Sequence, residues 1–156
     1  MQLAFQHTYP AGPDAVAELL RDEAFLADVA QHAGALSHSS RIEGDTTHLA
    51  MEIPAPDDVQ KFVGRSVNLQ LTMRFDAATA DGSRPGHVTV EVPGMPVDAS
   101  ARARLTPQGD HTVGDYDGEL KVRIPLVGKK VEAKVEPFVV AAFAGMEERA
   151  RVWLTR

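Results

Sequence analysis

The sequence predicts an α+β fold in which a curved seven-stranded antiparallel sheet wraps around one long C-terminal helix. Three observations predict it. From Pro125 onward, Val131, Val135, Phe138, Val139, Ala142, Met146 and Trp153 recur at steps of three and four, or multiples of them. At roughly 100° per residue they gather on one helical stripe. The middle of the chain alternates apolar and polar residues with a period of two, run after run, as strands with one buried face do. That buried face is the one apolar surface on which the helical stripe can lie.

The elements follow in order. Leu3, Phe5, His7 and Tyr9 alternate with Gln2, Gln6 and Thr8 in a first strand over 2–9. Gly12-Pro13-Asp14 stops it and opens a helix, with Pro13 at the first helical position and Asp14 at the positive end of the dipole. Val16, Leu19 and Leu20 give this helix its apolar side. Asp22 caps a second helix, with Phe25, Leu26 and Val29 inward and an end near Gly34. Strands over 35–43 and 46–53 flank the hairpin signal Glu43-Gly44-Asp45. Pro54-Ala55-Pro56 breaks the second, and 57–63 makes one or two helical turns. Over 67–75, Val67, Leu69, Leu71, Met73 and Phe75 share one face. Strands at 87–92, 97–105 and 112–124 complete the set, giving the order strand, two helices, six strands, long helix. The strand at 97–105 places Val97, Ala99, Ala101, Ala103 and Leu105 inward, and the last one Tyr116, Leu120, Val122 and Ile124. Pro137 falls inside the long helix, where it removes a backbone bond: either the axis bends at about 133–137, the favoured reading, or the helix begins near Glu136 with Pro137 in its first turn.

Composition bounds the rest. At 156 residues, 44% hydrophobic and 24% charged, the chain reads as a single domain over 1–156 with a substantial core. No apolar run is long enough to cross a membrane, and the N-terminus lacks a basic segment followed by an apolar one, so stable membrane insertion and secretion are not expected. The absence of cysteine excludes disulfides and thiolate chemistry and fits a cytoplasmic setting. A net charge of −6 disfavours a nucleic-acid partner. A monomer or homodimer is expected.

Small side chains suggest a cavity. Alanines at three successive inward positions of the 97–105 strand, and Gly114 and Gly118 on the apolar side of the last strand, leave volume under the helix. Either the large residues opposite fill it, Phe138, Phe143 and Met146 among them, or it remains open to a ligand.

Three stretches resemble a known superfamily: Phe5 to Leu20; Val59-Gln60-Lys61-Phe62-Val63-Gly64 feeding the 67–75 strand; and Arg123-Ile124-Pro125-Leu126-Val127-Gly128-Lys129-Lys130-Val131-Glu132, ending in Trp153-Leu154. Together they resemble the START and Bet v 1-like (SRPBCC) helix-grip proteins, and within them the bacterial family catalogued as domain of unknown function 2505. The resemblance implies a sheet gripping the C-terminal helix, with a deep apolar pocket between. It implies binding of lipids, sterols, polyketides or other apolar molecules, with cyclisation or dehydration in some members. An interior proline in the gripping helix departs from that pattern.

Sequence motifs for chemistry are sparse. Asp115-Tyr116-Asp117-Gly118-Glu119 lacks the glycine and glutamate positions of a calcium loop. Gly128-Lys129-Lys130 is no phosphate loop, and neither a serine-hydrolase elbow nor a zinc His-Glu-x-x-His exists. His32, His38, His48, His87 and His111 are scattered, while His7 shares an apolar face with Phe5 and Tyr9. Glu132 and Arg149 lie at or within the helical stripe, where a charge pairs, faces a wet cavity or sits at the edge. No catalytic set, metal site or cofactor is assigned. The expected function is non-enzymatic binding or transport of a small hydrophobic molecule. The expected cavity lining is Phe5, His7, Tyr9, Leu69, Leu71, Met73, Ala101, Ala103, Tyr116, Leu120, Val135, Phe138, Val139, Ala142, Phe143 and Met146. Two alternatives stand beside it: a cyclase- or dehydratase-like enzyme using His7, Tyr9 or Glu132, and an interaction module without a ligand.

Overall fold

Each alternating run forms a strand of one antiparallel sheet in the computed structural model, which describes residues 1–156. The elements are β1 (Gln2–Tyr9), α1 (Pro13–Leu19), α2 (Glu23–His32), β2 (Ser37–Glu43), β3 (Thr46–Pro54), a 3₁₀ turn (Asp57–Val59), α3 (Gln60–Val63), β4 (Ser66–Phe75), β5 (Arg84–Glu91), β6 (Val97–Gln108), β7 (His111–Val122) and α4 (Gly128–Leu154). The spatial order is β1-β7-β6-β5-β4-β3-β2. The chain starts at one edge, crosses through α1 and α2 to the other, and returns by consecutive hairpins until β7 closes on β1.

Local signals place α1 and α2 as the sequence reads. Pro13 opens α1, and the Asp22 carboxylate accepts from the backbone N–H of Ala24 at 2.8 Å to start α2. These two helices cover one half of the concave face. Beneath them Tyr9, Leu71, Met73, Phe75, Ala103, Leu105 and Tyr116 form a filled core with Val16, Leu20, Phe25 and Leu26. Over the other half, the chief cover is α4.

Helix α4 runs unbroken through Pro137, and its first residue is Gly128 rather than one nearer Pro125. Leu126 explains the later start: its φ of 71° lies in the left-handed region, outside any helical path. The helix is fixed at its two ends. At the first, Val131 is buried, and Glu132 Oε1 accepts from the Val122 backbone N–H at 3.0 Å while Oε2 lies 3.6 Å from the Met1 amine. At the second, Arg149 Nε and Nη2 donate to the two Asp28 oxygens at 2.6 and 3.3 Å, and Trp153 Nε1 donates to Asp28 Oδ2 at 3.1 Å. Between Glu132 and Ala150 no residue of α4 is fully buried. The same helix caps the open edge of the sheet: the Thr8 N–H donates to Glu147 Oε2 at 2.7 Å and the Thr8 carbonyl accepts from Arg151 Nε at 3.2 Å.

Two measurements test these joints. Asp28→Ala strips Arg149 and Trp153 of their acceptor and lowers stability by about 1–3 kcal/mol in urea titration at neutral pH. The Arg149 guanidinium beside Asp28 holds its carboxyl below the usual carboxylate range. The contribution is therefore present above that range and lost as pH falls through the lowered value, so the gap between the two proteins narrows in acid. A gap unchanged in acid contradicts the assignment. At Gly118 an added Cβ would overlap the Ser100 carbonyl oxygen and approach the Ala101 Cα to 2.6 Å. Backbone cannot move aside as a flexible side chain can, so Gly118→Ala loses more than about 2 kcal/mol by the same assay. An unshifted midpoint refutes that close approach.

Candidate functional site

Beneath the unburied middle of α4 lies a hollow of about 240 Å³. Its floor comes from the sheet: Leu3 and Phe5 of β1, Val67 and Leu69 of β4, Val88 and Val90 of β5, Val97, Ala99 and Ala101 of β6, and Leu120 and Val122 of β7. Its roof is Val131, Val135, Phe138, Val139, Ala142 and Phe143, and Ala55, Pro56, Val59 and Val63 close one end. Of 25 lining residues 22 are hydrophobic, so a polar group entering there would lose its hydration without replacement. Asp98, one of the exceptions, turns its carboxylate to Arg123 Nη1 at 2.6 Å. The pocket is not sealed: Phe138 on the roof is half-exposed.

The room comes from Ala99 and Ala101, not from the two glycines. At Gly114 the space is taken by the Tyr9 and Tyr116 rings, whose nearest carbons would stand 2.9 and 3.2 Å from an added Cβ. At Gly118 it is taken by the β6 backbone. Sequence reading found small residues on the right face but could not tell a void from a close approach.

The expected lining residues divide into two groups. Phe5, Leu69, Ala101, Leu120, Val135, Phe138, Val139, Ala142 and Phe143 border the hollow. His7, Tyr9, Leu71, Met73, Ala103, Tyr116 and Met146 lie outside it, in or against the filled core under α1 and α2. The reason is position along the strand. Alternation fixes the face of each residue, whereas the boundary between core and hollow is set by where the short helices rest. Leu3, Val97 and Ala99 shared the readable inward face and were passed over. Val59 and Val63 come from a short turn whose inward aim had no periodic signal.

Three of the excluded residues form a buried polar chain. His7 Nδ1 lies 2.8 Å from the Tyr9 hydroxyl, which lies 2.8 Å from the Tyr116 hydroxyl. Burial lowers the His7 pKa, against a smaller upward pull from Glu147, and keeps the ring neutral. Burial pushes Tyr116 up to about 12 and, together with the Tyr116 hydroxyl beside it, raises Tyr9 well above its ordinary value. Glu132 and Arg149 are both paired, at the two ends of α4, rather than at a wet edge. Glu132 is committed to the β7 backbone and does not reach the hollow.

The comparisons agree with this architecture. The STAR-related lipid transfer protein from Xanthomonas axonopodis is similar in structure, with a TM-score of 0.65 at 16% identity over 99% of this chain and 86% of its own. A point mutant of norcoclaurine synthase from Thalictrum flavum, in complex with a transition-state analogue, gives 0.63 at 14% over 99% and 94%. The Zhui aromatase/cyclase from Streptomyces sp. R1128 gives 0.55 at 18% over 96% and 93%. Identities this low carry the fold alone, the helix-grip arrangement of the START and Bet v 1-like proteins. No match was found among curated proteins. No helix is long and apolar enough to cross a membrane. The model of the family described as Protein of unknown function (DUF2505) matches residues 4–154, and the chain belongs to that family.

Proposed function

We propose that this protein binds a small hydrophobic molecule, of lipid-, sterol- or polyketide-like character, in the hollow beneath α4 and releases it unchanged. The observation that carries this reading is the wall itself: about 240 Å³ enclosed by 22 hydrophobic residues out of 25. That volume lies just below the roughly 300–1,000 Å³ usual for small-molecule sites. It equals about eight times the ~30 Å³ share of a water molecule in the liquid. An apolar occupant would also cover the exposed side of Phe138, at about 25 cal/mol for each Å² of apolar surface removed from water. The structural likeness to a lipid transfer protein is in keeping with such a ligand.

An enzyme of the cyclase or synthase kind is less well supported, although two of the similar structures carry such names. Acid–base catalysis needs proton-carrying groups within hydrogen-bond reach of the substrate. The hollow offers Asp98, bound to Arg123, and Ser100. Glu132 is engaged elsewhere.

The uncharged dye N-phenyl-1-naphthylamine tests the reading. Wild-type protein is expected to bind one equivalent with a blue-shifted emission. Ala101→Leu places a branched side chain in the hollow and is expected to weaken binding at least about tenfold. Its stability should stay level or rise by up to about 1 kcal/mol, because the added carbons enter open space. In a filled core the same change would lose about 1–3 kcal/mol. A wild-type protein that ignores the dye, or an Ala101→Leu variant destabilised as in a filled core, would overturn the proposal.

A further inference from the structure

The buried polar chain lies behind Phe143, a residue of the hollow's roof, and a count of hydrogens gives that chain a role. His7, Tyr9 and Tyr116 are each less than a tenth exposed. With the imidazole neutral and both phenols protonated, the three side chains carry one N–H and two O–H groups. The two internal hydrogen bonds use two of the three hydrogens. Whatever the tautomer, one is left over, and no side chain or backbone acceptor in the protein takes it. When Tyr116 donates to Tyr9 and Tyr9 donates to His7 Nδ1, the remaining donor is His7 Nε2–H. Ser83 Oγ is the one side-chain polar atom sealed from solvent without a partner. Nε2, also without a partner, therefore borders accessible space. A donor left without a partner in so largely buried a side chain attracts an acceptor.

Phe143 packs against both the hollow and the polar chain. Phe143 lines the hollow and stacks on Phe5 at 4.5 Å, and its ring centre stands 6.3 Å from the His7 ring and 6.2 Å from that of Tyr116. It sits on the stretch of α4 that has no fully buried residue.

We propose that the His7–Tyr9–Tyr116 chain is the polar end of the pocket and receives one acceptor oxygen, a carbonyl or ether, of an otherwise apolar ligand when Phe143 turns aside. The inference rests on the binding reading above and narrows it to uncharged molecules with an acceptor at one end. A carboxylate would meet a neutral ring and a wall without cations, and burying it there is costly.

The test uses two probes of the same shape, 2-acetylnaphthalene and 2-ethylnaphthalene, which differ in the carbonyl oxygen. Affinities of both are measured for the wild type, His7→Phe and Phe143→Ala. The ketone-over-hydrocarbon ratio is expected to fall about fivefold in His7→Phe, the value of one net hydrogen bond. It should rise in Phe143→Ala, where nothing needs to turn. The infrared carbonyl stretch of the ketone bound to wild-type protein is expected at its hydrogen-bonded frequency, a readout that needs no variant to fold. A free-carbonyl stretch in the wild type, or a ratio unchanged in a folded His7→Phe, overturns the polar end while leaving the apolar pocket standing. Failure of both probes to bind overturns both readings.

Discussion

The structure depends on a mismatch of covering area. Seven twisted strands present a concave face wider than two short helices can roof. Helices α1 and α2 cover the half carrying Tyr9, Leu71, Phe75 and Leu105, and close packing fills it. The other half receives chiefly a single rod. A rod touches a bowl at its rims, so α4 is bonded through Glu132 at one end and through Arg149 and Trp153 at the other. What lies between is apolar on both sides and meets in the middle only partly.

This geometry explains where the polar atoms of α4 are spent. A charge on an apolar stripe looks out of place until its partner is seen. Glu132 satisfies a backbone N–H at the end of β7, and Arg149 reaches across to α2. Glu147 and Arg151 occupy the donor and the acceptor that Thr8 presents at the sheet edge. Polar side chains thus locate the helix at its ends and along one edge. Its central face, Val135 to Phe143, is left with apolar side chains alone.

Much of this was legible in the sequence. Period-two alternation gave the strands and their inward faces, and Pro13, Asp22 and Gly34 marked the helix limits. Distinguishing core from hollow was not possible on those terms. Met73 and Leu69 alternate identically on β4, yet one is packed under the short helices and the other borders the cavity. The difference is a displacement along one strand, and nothing in a period of two encodes it. The start of α4 was misjudged for a related reason. The left-handed turn at Leu126 is imposed by the path of the chain from β7 to the helix, not by any local preference of leucine.

The size of the hollow limits how it can exist. Empty volume enclosed in a protein interior costs about 24 cal/mol per Å³. A sealed and vacant 240 Å³ would thus cost on the order of 6 kcal/mol, a large part of the roughly 5–15 kcal/mol that separates folded from unfolded protein. Such a void would favour collapse of the roof. Collapse is opposed because α4 is fixed at both rims, and the cost is reduced because Phe138 stands at an opening rather than a closed wall. An occupant would reduce it further, replacing the missing contacts along the middle of the helix. Stability and binding are then coupled through the same span of α4. Whatever fills the space beneath Val135 to Phe143 also completes the packing that the ends of the helix begin.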